Sequence, residues 1–491
     1  MASEITPDGR VIPPLNITNP APILDLGGFQ WGSVEESNRG PQPREDEDEQ
    51  PQPAALAPSE VQPPRLPDLN QLTRQLGFAD ERKPLLPFPL EQFHGAYAGN
   101  GFNMIFAPAS FDVSSSGVDG PNDNKLILNL TTEQWTFGPT IGEIPNRGFD
   151  KQKMINLGGL PYLQTVRDVT NTETGRGDKA SDTGIHLEPG VWIFVPATNH
   201  GEAREPDSIV RMASIPHGAT INAQGVVPKM RLTPKAPLHG FPGAPVPEWA
   251  EEASEKASES DSEECPKFDQ LDTRPFTSSG ERQDVFLSMN AVKATVKAKN
   301  GEGDTVHACN PFRHPEDLSK FVDAGTITTE IIHNPNLVLA RAIENQQIRE
   351  TIEFEVATDP PKPLNGGKTT NISFLGPNAN ATSMRNKWWI ETVIYDVNVP
   401  EMRGGKTVRL RPTMPKNKAG ERSTAPTPEF DITAPKEGVR KRTTIQVPGY
   451  QLQYSQTVNL EFGGLIWPHV SVATLVPTGP QPFQIYARPY C

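Results

Sequence analysis

Residues 452–477 read LQYSQTVNLEFGGLIWPHVSVATLVP. Apolar and polar residues alternate over Leu452–Phe462 and again over Val470–Leu475, with Gly463-Gly464 between them. That pattern predicts two neighbouring strands of an antiparallel sheet. A single histidine, His469, interrupts the apolar second run. A lone strand histidine is ordinarily a hydrogen-bonded core or rim residue, so its surroundings must decide its role.

Working outward, similar strand-like runs occupy Phe93–Phe106, Lys125–Phe137, Gln152–Leu157, Tyr162–Thr170, Ile185–Pro196, Ser208–Ile215 and Ala219–Ala223. Others follow at Phe286–Ala298, Thr351–Ala357, Asn371–Leu375 and Trp388–Val399, while Ile141–Gly148 reads as a loop. Helical spacing is found at Pro315–Asp323, at Asn336–Gln347 and, within the N-terminal tail, near Leu69–Leu76; the second has Asn334 as expected N-cap and Pro335 at the first helical position. Short strands punctuated by Gly, Pro, Asn and Asp describe a meander, and closing it into an up-and-down barrel removes its exposed edges. The expected fold is therefore mainly β: an antiparallel up-and-down β-barrel with a few short helices and long disordered insertions. One barrel drawn from both halves of the chain is preferred to two, because the opening and closing strands then become neighbours.

The chain has 491 residues with 52 prolines, 40 glycines and 35% hydrophobic residues, values that suit a β body broken by disordered segments. The expected division is a disordered Pro-rich and acidic tail (1–84), the first part of the barrel (85–228), a disordered acidic and Pro-rich insertion (229–283), helices and further strands (284–400), a basic loop (401–446), and the closing strands with a C-terminal tail (447–491). Ser258, Ser260 and Ser262 in the acidic insertion are candidate phosphoacceptors. A net charge of −14 argues against general nucleic-acid binding. The span 403–442 holds eleven Lys/Arg against four acidic residues and ends in Arg440-Lys441-Arg442, which makes a nuclear address conceivable. It lacks the interleaved aromatics that stack on bases and reads better as a solvated insertion. No secretory signal and no membrane-length apolar run is visible, so the cytoplasm is the expected compartment. Cys265, Cys309 and Cys491 are too scattered for a disulfide framework or a zinc site.

Signatures of hydrolases, P-loop and dinucleotide enzymes are absent, and His186-Leu187-Glu188 lacks the PCxxC that a zinc deaminase requires. His200, His239, His307 and His314 fall in polar or proline-rich stretches, and His333 precedes a helix. What becomes specific is the order of several fragments. Gly95-Ala96-Tyr97-Ala98-Gly99-Asn100-Gly101 resembles the GxWxGxG opening of nitrobindin-like haem-binding barrels, relatives of the lipocalins, with Tyr97 in place of tryptophan. Gly159, Pro161 and Leu163 resemble that family's GxPxLxYxQ strand with the Tyr–Gln spacing lost. His186-Leu187-Glu188-Pro189-Gly190-Val191-Trp192 is similar to its HxExGxW strand, and Val210–Gly225 to the hairpin after it. The Leu452-Gln453-Tyr454 and Pro468-His469-Val470 segments resemble its final hairpin. The resemblance covers mainly 90–226 and 450–476, about half of the chain.

The resemblance implies haem b held by His469 as proximal ligand, in a pocket whose walls include Gly95, Tyr97, Gly99, Gly101, His186 and Trp467. The glycines would serve close packing, and His186 with Glu188 would form a polar pair at the rim. A neutral imidazole turned into an apolar barrel is what a five-coordinate haem iron takes on that side. An open sixth position would address nitric oxide, peroxide or peroxynitrite, and peroxynitrite isomerisation or a peroxidase-like reaction is the activity implied. His217 and Arg147 are the candidates for catalytic acid/base work there. A haem-free lipocalin-like barrel that binds, isomerises or cyclises a hydrophobic metabolite is the alternative. A β-sandwich that binds carbohydrate or a partner is the third. In each barrel reading the partner is a small molecule inside it, with no membrane, and the oligomeric state is left open.

Overall fold

In the computed structural model, ten long strands close into one antiparallel barrel. The structure describes residues 86–107, 125–232, 268–282, 334–413 and 425–485, except 87, 201, 202, 229, 270, 377, 463 and 464; it also describes 296–299, 305–308, 318, 321, 331 and 332. In chain order the barrel strands are β1 (Ala96–Ala107), β2 (Lys125–Phe137), β3 (Ile155–Asp168), β4 (Thr183–Val195), β5 (Ser208–Ser214), β6 (Ala219–Val226), β7 (Gln347–Ala357), β8 (Asn380–Val399), β9 (Thr443–Phe462) and β10 (Leu465–Pro477). Each strand pairs with the next one in the chain. The ring shuts where β10 pairs with β1, from Tyr97↔Pro477 to Met104↔Val470.

The halves of the chain also meet between β6 and β7, at Gln224↔Ala357 and onward through Met230↔Ile352. Two glycines allow these seams. A Cβ on Gly225 would stand 1.9 Å from the carbonyl oxygen of Glu355, and one on Gly99 would stand 2.0 Å from that of Thr474. Backbone meets backbone at both places, and no other residue fits without moving a strand.

Along the axis the interior changes character. At one end a short 3-10 turn, Leu90–Gln92, inserts Leu90 and Phe93 beneath the strands. Above them lie Trp135, Trp192 and Trp388, all fully buried, with Trp388 5.0 Å from Trp135 and 5.8 Å from Trp192 between ring centroids. This end is closed and dry. Polar side chains fill the middle, and the opposite end of the barrel (the mouth) carries His186, His217 and His469.

Outside, helix α1 (Asn336–Ile343) lays Val338 and Leu339 on Phe102, Met104, Leu128 and Val472 of the wall. Burial of each such side chain contributes about 2 kcal/mol. Asn334 does not cap this helix: its Oδ1 accepts the Leu271 N–H at 3.2 Å, while Asn336 Nδ2 donates to the Asp269 carbonyl at 2.6 Å. These two amides tie the helix to residues that the sequence placed in a disordered insertion. There Phe268 packs on Trp389 and Phe276 bridges Ile466.

The expected loop at Ile141–Gly148 holds a strand, Ile141–Asn146, which pairs with β3. The basic span departs further. Thr407–Leu410 and Phe430–Thr433, with Gln481–Gln484, form a small three-stranded annex that covers the extended ends of β8 and β9 beyond the closed end. Its basic residues find partners next door, Arg409 with Asp431 at 3.0 Å and Arg411 with Glu429 at 2.8 Å. The 1–84 tail, the three cysteines and the three serines lie outside the described residues. No described helix is long and apolar enough to cross a membrane.

Candidate functional site

The strand His186-x-Glu188-x-Gly190-x-Trp192 shows how the interior is built. With a side-chain period of two, all four residues face inward. Trp192 joins the aromatic core, and Gly190 leaves the space that Tyr162 fills, since a Cβ there would lie 2.5 Å from its hydroxyl. Glu188 enters the polar middle, and His186 reaches the mouth.

The polar middle is a hydrogen-bonded partition. Arg211 on β5, fully buried, donates to Glu188 Oε1 at 2.5 Å, to Gln456 at 2.6 Å, to Asn386 at 2.9 Å and from Nε to the Tyr162 hydroxyl at 2.9 Å. Tyr162 in turn donates to Glu188. The guanidinium lies over the Trp135 ring, 5.2 Å from its centroid. Burial alone would raise the Glu188 carboxyl, but the Arg211 charge and His186 overcome this and hold it at about 2. Beside this cluster, Tyr454 donates to Glu133 at 2.5 Å, and Gln164 Nε2 donates to Tyr454 at 3.1 Å. Burial pushes Glu133 up to about 7, against the pull of the Tyr454 hydrogen bond and of the His186 charge. Gly101 makes room for this carboxylate: a Cβ there would stand 2.5 Å from Glu133 Oε1.

Above the partition His469 points inward from β10. Asn103 Nδ2 lies 3.3 Å from His469 Nε2 and 2.7 Å from Ser471 Oγ, and Asn129 donates to Asn103 Oδ1 at 3.4 Å. Asn103 thus presents an N–H to the ring, which leaves the ring proton on Nδ1. His469 keeps partial solvent contact. Burial pushes its imidazole down to about 4, assisted by the charges of His186 and His217. Those two belong to the opposite wall, with rings perpendicular and 5.0 Å apart. Glu188 Oε2 lies 3.4 Å from His186 Nε2 and orients it. Burial lowers His217 as well, ahead of the effect of His186. At neutral pH the mouth therefore offers uncharged imidazole at His469 and His217. By alternation, the half-buried Ile105, Ile127 and Val458 share the inner face with His469.

The residues expected to act together are only partly assembled. His186, His217 and His469 share the mouth. Gly95 and Tyr97 stand at the closed end, where Gly95 turns the chain with a φ of +71° and Tyr97 is buried among the core aromatics. Gly99 and Gly101 serve the seam and the Glu133 space. Trp467 packs on Phe106 and Phe462 in the cluster under α1 and donates to the Phe462 carbonyl. Arg147 is exposed in the turn after Ile141–Asn146, at the closed end and away from His469. The interior guanidinium is that of Arg211, which the sequence reading missed. Its signal was a lone cation at an inward position of an apolar strand, Ile209-Val210-Arg211-Met212-Ala213. His239, His314 and His333 lie outside the described residues.

Among the described residues no three His, Cys, Asp or Glu side chains are grouped to hold a metal ion directly. A porphyrin-bound iron needs only one protein ligand. His469 is a single inward imidazole among aliphatic neighbours, the kind of donor such a group would take. Its hydrogen bond from Asn103 is the one contact that ligation through Nε2 would replace. No family model, curated protein or solved structure matches the chain.

Proposed function

We propose that the mouth of the barrel binds a flat, largely apolar prosthetic group of the haem b class, with His469 as its axial ligand. The observation that supports this most is a neutral, half-buried imidazole on the inner wall, above a partition that blocks deeper entry. Bound haem would supply an iron with an open position, the chemistry that nitric oxide, peroxide and peroxynitrite address. The chain supplies the rest. Asn103, held by Asn129 and Ser471, positions the free His469 ring through Nε2 and would give up that contact on ligation. Glu188 fixes His186, and the His186–His217 pair offers hydrogen-bonding groups on the opposite wall. The packed tryptophans exclude water from beneath. A peroxynitrite isomerase or peroxidase-like activity is the corresponding proposal, with His217 as the acid/base group.

One contact favours a second reading. Asn103 already satisfies His469 Nε2. The same mouth would then hold a haem-free metabolite through hydrogen bonds to the three histidines. Titration of the purified chain with hemin separates the two. The haem reading expects a saturable, stoichiometric Soret band that His469→Ala abolishes while the β-sheet circular dichroism is unchanged. An unchanged band in that variant overturns the ligand assignment. No band in the wild-type chain, together with a small molecule released on denaturation, selects the second reading.

A further inference from the structure

The outer wall of the barrel is covered unevenly. Helix α1 lies over β1, β2 and β10, and the annex covers Ile445 and Val447 of β9. Over β3, β4 and β5 nothing comparable lies among the described residues. The two-residue period that turns Tyr162, Glu188, Trp192 and Arg211 inward turns their neighbours outward, and those neighbours are apolar. The register sets them side by side: Leu163 beside Pro189, Pro161 beside Val191 and Met212, and Gly159 beside Ile193 and Val210. The strand Ile141–Asn146 continues this face, with Ile141 beside Gly159 and Ile144 beside Leu157.

The side chains meet. A Cβ added to Gly159 would touch Ile144 at 3.4 Å and both Ile141 and Val191 at 3.6 Å, so those three form a collar around a hollow with room for one methyl. Leu163, Leu187 and Met212 stand 42%, 45% and 40% exposed. None of the outward residues along 157–163, 187–195 and 210–212 is charged. Four strands across and five outward residues along β4, the face measures about 19 by 27 Å, roughly 500 Å² in projection. That is near the top of the ~300–600 Å² that the largest apolar patch of an ordinary monomer reaches. A neutral rim of Thr136, Thr165 and Asn222 enlarges it toward the ~800 Å² that each partner of a stable complex buries.

The geometry limits what can sit there. Ile141–Asn146 pairs only with β3 among the described residues, but Pro145 and the irregular register between Ile141 and Ile144 spoil its free edge for a further strand. Contact is then made face on face, by side chains. A second copy of this chain has the matching shape. Leu163 projects and the Gly159 hollow recedes, two residues to either side of Pro161 on the same strand. A two-fold axis that lies in the face and crosses β3 at Pro161 therefore seats Leu163 of each copy on Gly159 of the other. The chain carries a net charge of −14, so two copies repel wherever acidic surfaces meet, and this uncharged face lets them touch without that opposition.

We propose that the outer face of β3–β5 is the interface of a homodimer. Analytical ultracentrifugation of the full chain tests it over about 1–100 µM, and a monomer–dimer equilibrium with a Kd at or below about 10 µM is expected. Leu163→Asp and Met212→Asp lie on separate strands at exposed positions. Each should weaken the dimer at least about tenfold with β-sheet circular dichroism unchanged, because each buries an unpaired charge in the interface. Phe374→Asp, at a residue 77% exposed outside this face, should leave the equilibrium as it is. Wild-type dimer strength in both interface variants overturns the proposal. So does a wild-type chain that stays monomeric at about 100 µM, whether it then floats with phosphatidylcholine vesicles or keeps Met212 shielded from peroxide oxidation by another part of itself.

Discussion

Arg211 is the residue on which the interior depends. A guanidinium with no solvent contact survives because four acceptors and an aromatic face surround it. Replacing it by leucine strands the Glu188 carboxylate, and the expected loss is about 3–5 kcal/mol in urea unfolding. Arg211→Leu combined with Glu188→Leu should recover a substantial part of that loss, since neither charge is then left unpaired. Glu391 makes a different prediction. Burial holds it at about 8, against the hydrogen bond from Gln451. The unfolded chain releases this proton near pH 4.5 while the folded chain keeps it, so stability falls as pH rises toward 8. Glu133 adds a parallel fall that ends near pH 7. Between pH 7 and 8 the wild-type urea midpoint should therefore keep falling, and Glu391→Gln should flatten it. That His186 and Gly190 share a face is legible in the sequence, because a two-residue period fixes it. The setting of His469 is not, since Asn103 lies 366 positions away.

At the scale of strands, alternation found the barrel but not its ends. Lys125–Phe137 was read with the bounds it has, whereas β8 and β9 each run 20 residues, well past the alternating core that marked them. The added part of β9, Thr443–Gln451, is legible only with the annex in place, which covers Ile445 and Val447. That of β8, Asn380–Lys387, runs the other way, and a bulge between Ala381 and Ser383 breaks its alternation. The annex was hidden by its charge: Arg409 and Arg411 read as solvated until Asp431 and Glu429 stand beside them. The seams give a direct test. Gly225→Ala puts a methyl against the Glu355 carbonyl and should cost about 1–3 kcal/mol, as overpacking does. Gly184→Ala on β4 meets open space, with nothing within 4 Å, and should be close to neutral. Urea midpoints of the two variants, measured side by side, separate a seam glycine from an incidental one.

The whole molecule is one ring made from two stretches of chain, β1–β6 and β7–β10, joined at β6–β7 and β10–β1. Neither stretch closes alone. A chain cut within 233–267 should therefore keep its two pieces together on size exclusion, with β-sheet circular dichroism unchanged, until urea melts both at once. Separation of the pieces under native conditions would show that the seams do not hold. The ring also has a consequence during synthesis. Strand β1 leaves the ribosome with one edge bare, and its neighbour β10 is not made until more than 360 residues later. At about 5–20 residues per second, that wait lasts roughly 20–70 s. Through that interval the nascent chain carries an unsatisfied strand border lined by Phe102, Met104 and Phe106, a surface that sticks to other chains unless a holding factor shields it. Production of this protein should then depend on chaperone supply and on the pace of translation more than its finished stability would suggest.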